Sequence, residues 1–228
     1  MNVTDDKTIV KEYFNSTGFD RWRRIYGSGE VNNVQLDIRQ GHQQTIDKVL
    51  GWLKEDGNLS DLTICDAGCG VGSLSVPLAQ LGATVYGSDI SEKMVEEAKE
   101  RAASELEDTS RLTLETRDLE TIDGSYHTVI CLDVLIHYPD DDMDEMISHL
   151  CSLAQSRVIL SFAPKTCWLT ILKKIGELFP GPSKTTRAYQ HREKEIVEIF
   201  KKNGFSIERS DMTSTRFYYS RLVEAVKS

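Results

Sequence analysis

Short apolar runs alternate with longer stretches of helical periodicity through the middle of the chain. The runs 62–66 (LTICD), 83–88 (ATVYGS), 111–116 (RLTLET), 128–133 (TVICLD) and 157–163 (RVILSFA) are rich in β-branched residues and almost continuously apolar. That is the pattern of strands covered on both faces. Between them, 73–81, 91–104 and 142–153 repeat at helical spacing, and the stretch just after 116 reads as a loop. Strand, helix and strand at this spacing predict right-handed crossovers and a parallel sheet. The tail differs. A helix over 190–203 stops at Asn203-Gly204, and two alternating runs, 205–211 and 215–226, predict an antiparallel pair at one sheet edge. The expected fold is α/β: a mostly parallel seven-stranded sheet with helices on both faces.

Two segments fall outside that alternation. Residues 1–60 are mostly helical in pattern and carry an aromatic, basic patch, Phe19-Asp20-Arg21-Trp22-Arg23-Arg24-Ile25-Tyr26. Residues 164–189 insert after the fifth strand and place Trp168, Leu169, Ile171, Leu172, Ile175, Leu178 and Phe179 at helical spacing, before Pro180-Gly181-Pro182 stops the helix. The division expected is an N-terminal lid or arm, 1–60, and a core, 61–228, with the 164–189 insertion as a second arm. Open parallel sheets bind ligands beyond the carboxyl ends of their strands, where both segments are expected to act as lids.

Composition narrows the class. The chain has 228 residues, 27 Lys plus Arg against 36 Asp plus Glu, and a formal charge of -9. A field of that sign repels nucleic acid and anionic lipid, so no nucleic-acid partner is expected. Five cysteines at 65, 69, 131, 151 and 167 show no CxxC spacing, which fits a reducing compartment rather than a zinc site or disulfide framework. The opening Met-Asn-Val-Thr-Asp-Asp-Lys has no apolar h-region, and no uncharged apolar run nears the ~18 residues of a membrane span. A soluble, cytoplasmic protein is expected.

The first strand runs into Ile64-Cys65-Asp66-Ala67-Gly68-Cys69-Gly70-Val71-Gly72, and the first crossover helix follows. Glycines at 68 and 70 let backbone approach a ligand with no Cβ in the way. The dinucleotide fingerprint wants another glycine three residues after the second, where this chain has Ser73. Asp66 would repel a pyrophosphate and favour a cationic ligand. Asp89 ends the second strand 21 residues past Gly68, placed to accept hydrogen bonds from two ribose hydroxyls. Asp118, beside Leu119, follows the third strand. Three unrelated acids at strand ends are the bland alternative.

With these motifs the chain resembles class I S-adenosylmethionine-dependent methyltransferases over roughly 62–163, and the fold implied is their Rossmann-like one. DAGCGVG corresponds to the methionine half of the donor, SDIS carries the ribose acid Asp89 with Ile90 beside it, RDL lies by the adenine, and CLDVLIHYP follows the fourth strand. The cofactor implied is S-adenosylmethionine. No Asn/Asp-Pro-Pro-Tyr motif of nucleic-acid amino-methyltransferases is present. Leu132 and Asp133 are expected to line the donor near its sulfur, and Arg39 is a candidate for its methionine carboxylate.

His137 follows the fourth strand in Leu132-Asp133-Val134-Leu135-Ile136-His137-Tyr138-Pro139, and Pro139 holds Tyr138 extended. That puts His137 at the sheet's carboxyl edge, where donor and acceptor must meet; a strand-capping histidine is the alternative. His42, His127, His149 and His191 read as ordinary solvated histidines on helix faces or polar loops. Asp140-Asp141-Asp142-Met143-Asp144 satisfies a DDxxD pattern, but carboxylates at a helix start complement the dipole and cap free amides. No protein-bound metal is expected. Cys69 reads as a small packing residue rather than a nucleophile.

A narrower resemblance covers essentially the whole chain. Tyr13-Phe14-Asn15, Gly18-Phe19-Asp20-Arg21-Trp22, Ile25-Tyr26-Gly27, Gln35, Asp37-Ile38-Arg39, Gly41-His42 and the insertion with Trp168 and Phe179 are similar to the magnesium-protoporphyrin IX O-methyltransferase family. The resemblance implies methylation of one propionate of the magnesium porphyrin, an early committed step to chlorophyll, with the magnesium carried by the substrate. It also implies handover from magnesium chelatase, and the greasy substrate suggests at most peripheral contact with photosynthetic membranes. Trp22, Trp168, Leu172 and Phe179 would then offer an apolar cleft to the macrocycle, or simply pack helices. His137 and Tyr26 would hold the propionate, and ligation of the porphyrin magnesium by His137 is a second role to test. Another apolar acceptor such as a quinone precursor, a nicotinamide oxidoreductase and a donor-binding module without catalysis are the rival readings.

Overall fold

The structure, a computed structural model, describes residues 3–16, 18–27, 29–165 and 189–228. Its strands are β1 (Thr63–Ala67), β2 (Thr84–Asp89), β3 (Leu112–Thr116), β4 (Tyr126–Cys131), β5 (Ala154–Phe162), β6 (Phe205–Ser214) and β7 (Tyr219–Lys227). They form one sheet in the order β3-β2-β1-β4-β5-β7-β6. The pairs from β3 to β5 are parallel, and β7 lies antiparallel between β5 and β6. The chain therefore runs outward from β1 to β3 and returns to β4. The crevice at that reversal, beyond the ends of β1 and β4, is where open α/β sheets bind ligands.

Helices α1 (Val3–Asn15), α2 (Phe19–Tyr26) and α3 (Asn33–Glu55) precede the sheet, and α4 (Ser75–Gln80), α5 (Glu92–Glu105), α6 (Asp140–Leu153) and α7 (Glu193–Lys202) lie within or after it. Strand alternation divides the core. Cys65, Ala67, Val129 and Cys131 face one way, into a cluster completed by Met146, Ile147 and Leu150 of α6 and Ile196 and Phe200 of α7. Ile64, Ile130 and Ile159 face the other way, onto Ile46, Val49 and Leu53 of α3 and Leu78 of α4. Each interior strand thus buries both faces, which explains why its sequence is continuously apolar.

Local signals set the helix ends. At α3, Asn32 Oδ1 accepts from Gln35 N at 2.9 Å and Gln35 Oε1 accepts from Asn32 N at 3.2 Å, a closed capping box. Ser91 Oγ accepts from Met94 N at the start of α5. Gly204, at φ +79, ends α7 in the left-handed conformation that the Asn203-Gly204 stop predicts. The far end of α3 is clipped to the sheet. Glu224 of β7 is buried and binds Arg157 at 2.8 Å and Arg209 at 2.5 Å, and both arginines also reach Asp56.

Several boundaries move from their sequence expectations. The helix over 73–81 contracts to Ser75–Gln80 because the glycine loop continues through Leu74. The fourth strand ends at Cys131, since Asp133 turns the backbone to φ +58. The inserted segment's Trp168, Leu172 and Phe179 lie outside the described residues. Among the described residues no helix is long and apolar enough to cross a membrane.

Candidate active site

The turn after β1 brings three glycines to positive φ: Gly68 at +87, Gly70 at +52 and Gly72 at +74. The amides of Gly68 and Cys69 both donate to the Ser88 carbonyl at 2.8 Å, which folds the loop onto the end of β2. A Cβ on Gly68 would sit 2.2 Å from Val134 Cγ2, whereas one on Gly70 would meet nothing within 4 Å. Both glycines border the cavity at the reversal point. Asp89 closes the turn from the other side: Oδ2 accepts from Gly70 N at 3.0 Å and Oδ1 from Ser91 N at 2.9 Å. Burial raises the pKa of this carboxyl, against the pull of those amides.

Ile90, Asp118, Leu119, Leu132, Asp133, Trp22, Tyr26 and His137 line the same cavity as Gly68, Gly70 and Asp89. The residues chosen from four strand ends and from the N-terminal helices therefore converge on one space. Two do not. Asp66 is buried behind the loop, absent from the cavity wall, and accepts a hydrogen bond from Ser75 Oγ at 2.5 Å. Burial, reinforced by the charge of Asp89, pushes its pKa up to about 6. Arg39 is the other. Its Nε donates to Ile25 O at 3.0 Å, and another nitrogen donates to Gly29 O at 2.7 Å and to Arg24 O. The guanidinium satisfies the free carbonyls at the end of α2, where a cation complements the helix dipole, and is absent from the cavity wall.

An arc of rings closes the cavity. Phe14 of α1 meets the His137 ring edge-on with centroids 5.6 Å apart. Phe14 lies 6.2 Å from Trp22, Trp22 stacks on Tyr26 at 5.3 Å, and Tyr26 lies 4.4 Å from His42. Trp22 also donates from Nε1 to Tyr13 Oη at 3.2 Å. Contacts to α5 hold these helices down: Ser91 Oγ to Asn15 Oδ1 at 2.8 Å, and Arg23 to Glu97 at 2.8 Å.

The polar groups within this arc are poised as neutral donors. Burial drives the His137 pKa down to about 4, only partly countered by Asp133. Its Nδ1 is buried without a hydrogen-bond partner. Burial, then the charge of Asp133, holds the Tyr26 phenol far above its ordinary range. Asp133 itself is the fixed anion. Burial alone would raise its pKa, but hydrogen bonds from His42, Tyr218 and Ser161 together with the nearby His42 keep it lowered.

Two of the histidines expected to be solvated are not. His42 lines the cavity and binds Asp133, and His191 is fully buried. The signal for His42 was its place on the face of α3 that carries Thr45, Ile46 and Val49, which is the core face. Phe14 and Met94 also line the cavity and were not singled out as site residues. The DDxxD run begins α6, but Pro139 is the N-cap and no side chain caps it. Asp140 instead binds His191 and Lys165. Among the described residues, no grouping of three His, Cys, Asp or Glu could hold a metal ion. Cys69 packs in the loop, and burial raises its thiol pKa far out of the nucleophilic range.

The wall suits a nucleoside carrying positive charge. Gly70 leaves room for backbone contact, Asp89 and Asp118 supply acceptors, and Ser88 Oγ is a buried hydroxyl of the wall without a partner.

Comparison with known proteins agrees. Residues 131–227 match the family model described as the magnesium-protoporphyrin IX methyltransferase C-terminus, and 64–156 match a general methyltransferase-domain model. A magnesium-protoporphyrin O-methyltransferase of Synechocystis is 69% identical over 98% of this chain and 97% of its own. The chloroplastic magnesium protoporphyrin IX methyltransferase of Arabidopsis thaliana is 56% identical over 97% of this chain and 71% of its own. The crystal structure of the Synechocystis PCC 6803 magnesium protoporphyrin IX methyltransferase with bound SAH superposes with a TM-score of 0.91, at 67% identity, covering 97% of this chain and all of that one.

Proposed function

Because the chain belongs to the magnesium-protoporphyrin IX methyltransferase family, we propose that it transfers a methyl group from S-adenosylmethionine to a propionate carboxylate of magnesium-protoporphyrin IX, forming the monomethyl ester of chlorophyll synthesis. The observation that carries the reading is the meeting, in one cavity, of the glycine and Asp89 turn with His137 and Tyr26.

The donor supplies an activated methyl group on a sulfonium, and the protein's part is to order the two reactants. Asp89 would take the ribose hydroxyls, Asp118 and Leu119 the adenine side, and Leu132 and Asp133 the region near sulfur. A propionate ionises near pH 4–5, so it needs no base at neutral pH. His137 and Tyr26 act as hydrogen-bond donors that hold the oxygen that does not attack. A histidine kept neutral by burial suits that role, with Nε2–H as donor while Nδ1 stays unpartnered. Ligation of the porphyrin magnesium by His137 is the second role, and comparing the binding of magnesium-containing and metal-free porphyrin in the wild type and His137→Ala separates the two.

Trp22 and Phe14 offer flat apolar surface to the macrocycle, and Trp168, Leu172 and Phe179 of the insertion are proposed to extend it. The helices of 1–60 and the insertion would serve as lids, Arg21, Arg23 and Arg24 would draw in the propionates, with Arg23 shared with Glu97, and a greasy substrate favours handover from magnesium chelatase at a membrane surface.

Replacing His137 by Ala and Tyr26 by Phe tests the reading. Each should lower turnover roughly 10–1000-fold by loss of orientation, with donor affinity nearly unchanged. Full turnover in both variants would remove the assigned roles.

A further inference from the structure

Where β5 ends, a buried histidine bridges the catalytic turn and both ends of the inserted segment. His191 has no exposed surface. Its Nδ1 lies 2.9 Å from Asp140 Oδ1, and its Nε2 lies 2.9 Å from the carbonyl oxygen of Leu135. A carbonyl oxygen only accepts, and so does an ionised carboxylate. Asp140 is ionised: burial would raise its pKa, but bonds from Lys165, at 3.2 Å on the other oxygen, and from His191 lower it. The ring is thus pinned at both nitrogens, by the Asp140 carboxylate on one side and the Leu135 carbonyl on the other.

Leu135 opens the 3-10 turn Leu135–His137. The same turn is held a second time, where Tyr189 N donates to Ile136 O at 2.7 Å. His191 in turn joins the two ends of the insertion. Its amide donates to Ala163 O at 2.9 Å, its carbonyl accepts from Lys165 N at 2.8 Å, and it forms a parallel bridge with Pro164. One buried side chain thus sits between Ala163, Pro164 and Lys165 and the backbone turn that carries His137.

We propose that His191 is a positioning residue: through its two ring contacts it locks the Leu135–His137 turn to the residues that flank the inserted segment, so that losing those contacts releases the turn and lowers methyl transfer. This deepens the methyltransferase reading and rests on it. Asp140 faces the ring from α6, with Asp141 and Asp142 in the same helical turn, and Lys165 shares Asp140 from the segment after β5.

Two measurements test this on the full chain. The first is amide hydrogen exchange in the Leu135–His137 turn, which should be faster in H191A than in the wild type; unchanged exchange there would overturn the proposal, whatever the enzyme's substrate. The second is kcat and KM for magnesium-protoporphyrin IX in the wild type, H191A, H191Q and D140A. H191A should show kcat lowered roughly 10–100-fold by loss of orientation, while affinity for S-adenosylhomocysteine stays within about twofold. H191Q, whose amide can still donate to the Leu135 carbonyl, should recover part of that loss, and D140A, which removes the other contact, should lower kcat in the same sense. Wild-type kcat in both H191A and D140A would overturn it. If the wild type itself does not methylate the porphyrin, the functional reading fails instead, and the exchange result still decides whether His191 holds the turn.

Discussion

Nδ1 of His42 lies 2.9 Å from Oδ2 of Asp133, joining the middle of α3 to the loop after β4 across 91 residues of chain. Asp133 carries the one positive φ of a non-glycine residue among the described residues, +58. The conformation is held by Tyr218 Oη on both carboxylate oxygens, at 3.0 and 2.8 Å, and by Ser161 Oγ at 3.0 Å. A strained backbone surrounded by this many fixed partners belongs to a preorganised site.

Replacing Asp133 by Ala removes the acceptor that His42, Tyr218 and Ser161 share. We expect a loss of about 2–4 kcal/mol of stability from stranded polar groups, read as a lower urea midpoint. The sign with pH follows from the lowered pKa of Asp133. Its stabilising contribution is complete above the unfolded value near 4 and is lost as pH falls through the lower folded value. The gap between wild type and D133A should therefore close in acid. A gap that widened in acid would contradict this account of Asp133.

The two cavity glycines should separate folding from binding. Gly68→Ala combines a positive φ with a Cβ placed 2.2 Å from Val134 Cγ2, so it should destabilise the fold. Gly70→Ala meets open space, so its cost is confined to about 1–2 kcal/mol of left-handed backbone strain. Donor affinity should nevertheless fall in Gly70→Ala, because the new methyl group stands where the ligand approaches. Equal stability in the two variants, by thermal denaturation, would contradict the packing described at Val134.

Asp66 makes a distinct pH prediction. Its folded pKa, about 6, lies above the unfolded value, so the folded state holds its proton longer. Stability contributed by this group is present in acid and lost as pH rises from about 4 to about 6. D66N escapes that loss, so its stability relative to wild type should climb across the same window. The cationic donor favours the ionised form, and wild-type affinity for it should rise with pH through about 6, with a flatter curve in D66N. Isothermal titrations at several pH values check this, and parallel curves for the two proteins would contradict it.

Much of this architecture was legible in the chain because burial on both faces writes itself as continuous apolar runs. Residues 62–66 and 83–88 became β1 and β2 nearly as expected, and Asp89, Gly68 and Gly70 met at the turn. Less legible were contacts decided by tertiary partners. Nothing local to Arg39 showed that the exposed end of α2 would claim its guanidinium. His191 follows an insertion whose sequence gives no clue that its ring fits between Asp140 and Leu135 O. His42 was decipherable in hindsight, since a polar residue on an otherwise apolar helix face must find a buried partner, here Asp133.

The most direct test of the central claim is chemical. The purified chain, incubated with S-adenosylmethionine carrying a labelled methyl group and magnesium-protoporphyrin IX, should yield a porphyrin heavier by one labelled methyl, released again on ester hydrolysis. A chain that binds the donor yet leaves the porphyrin unlabelled would contradict the account.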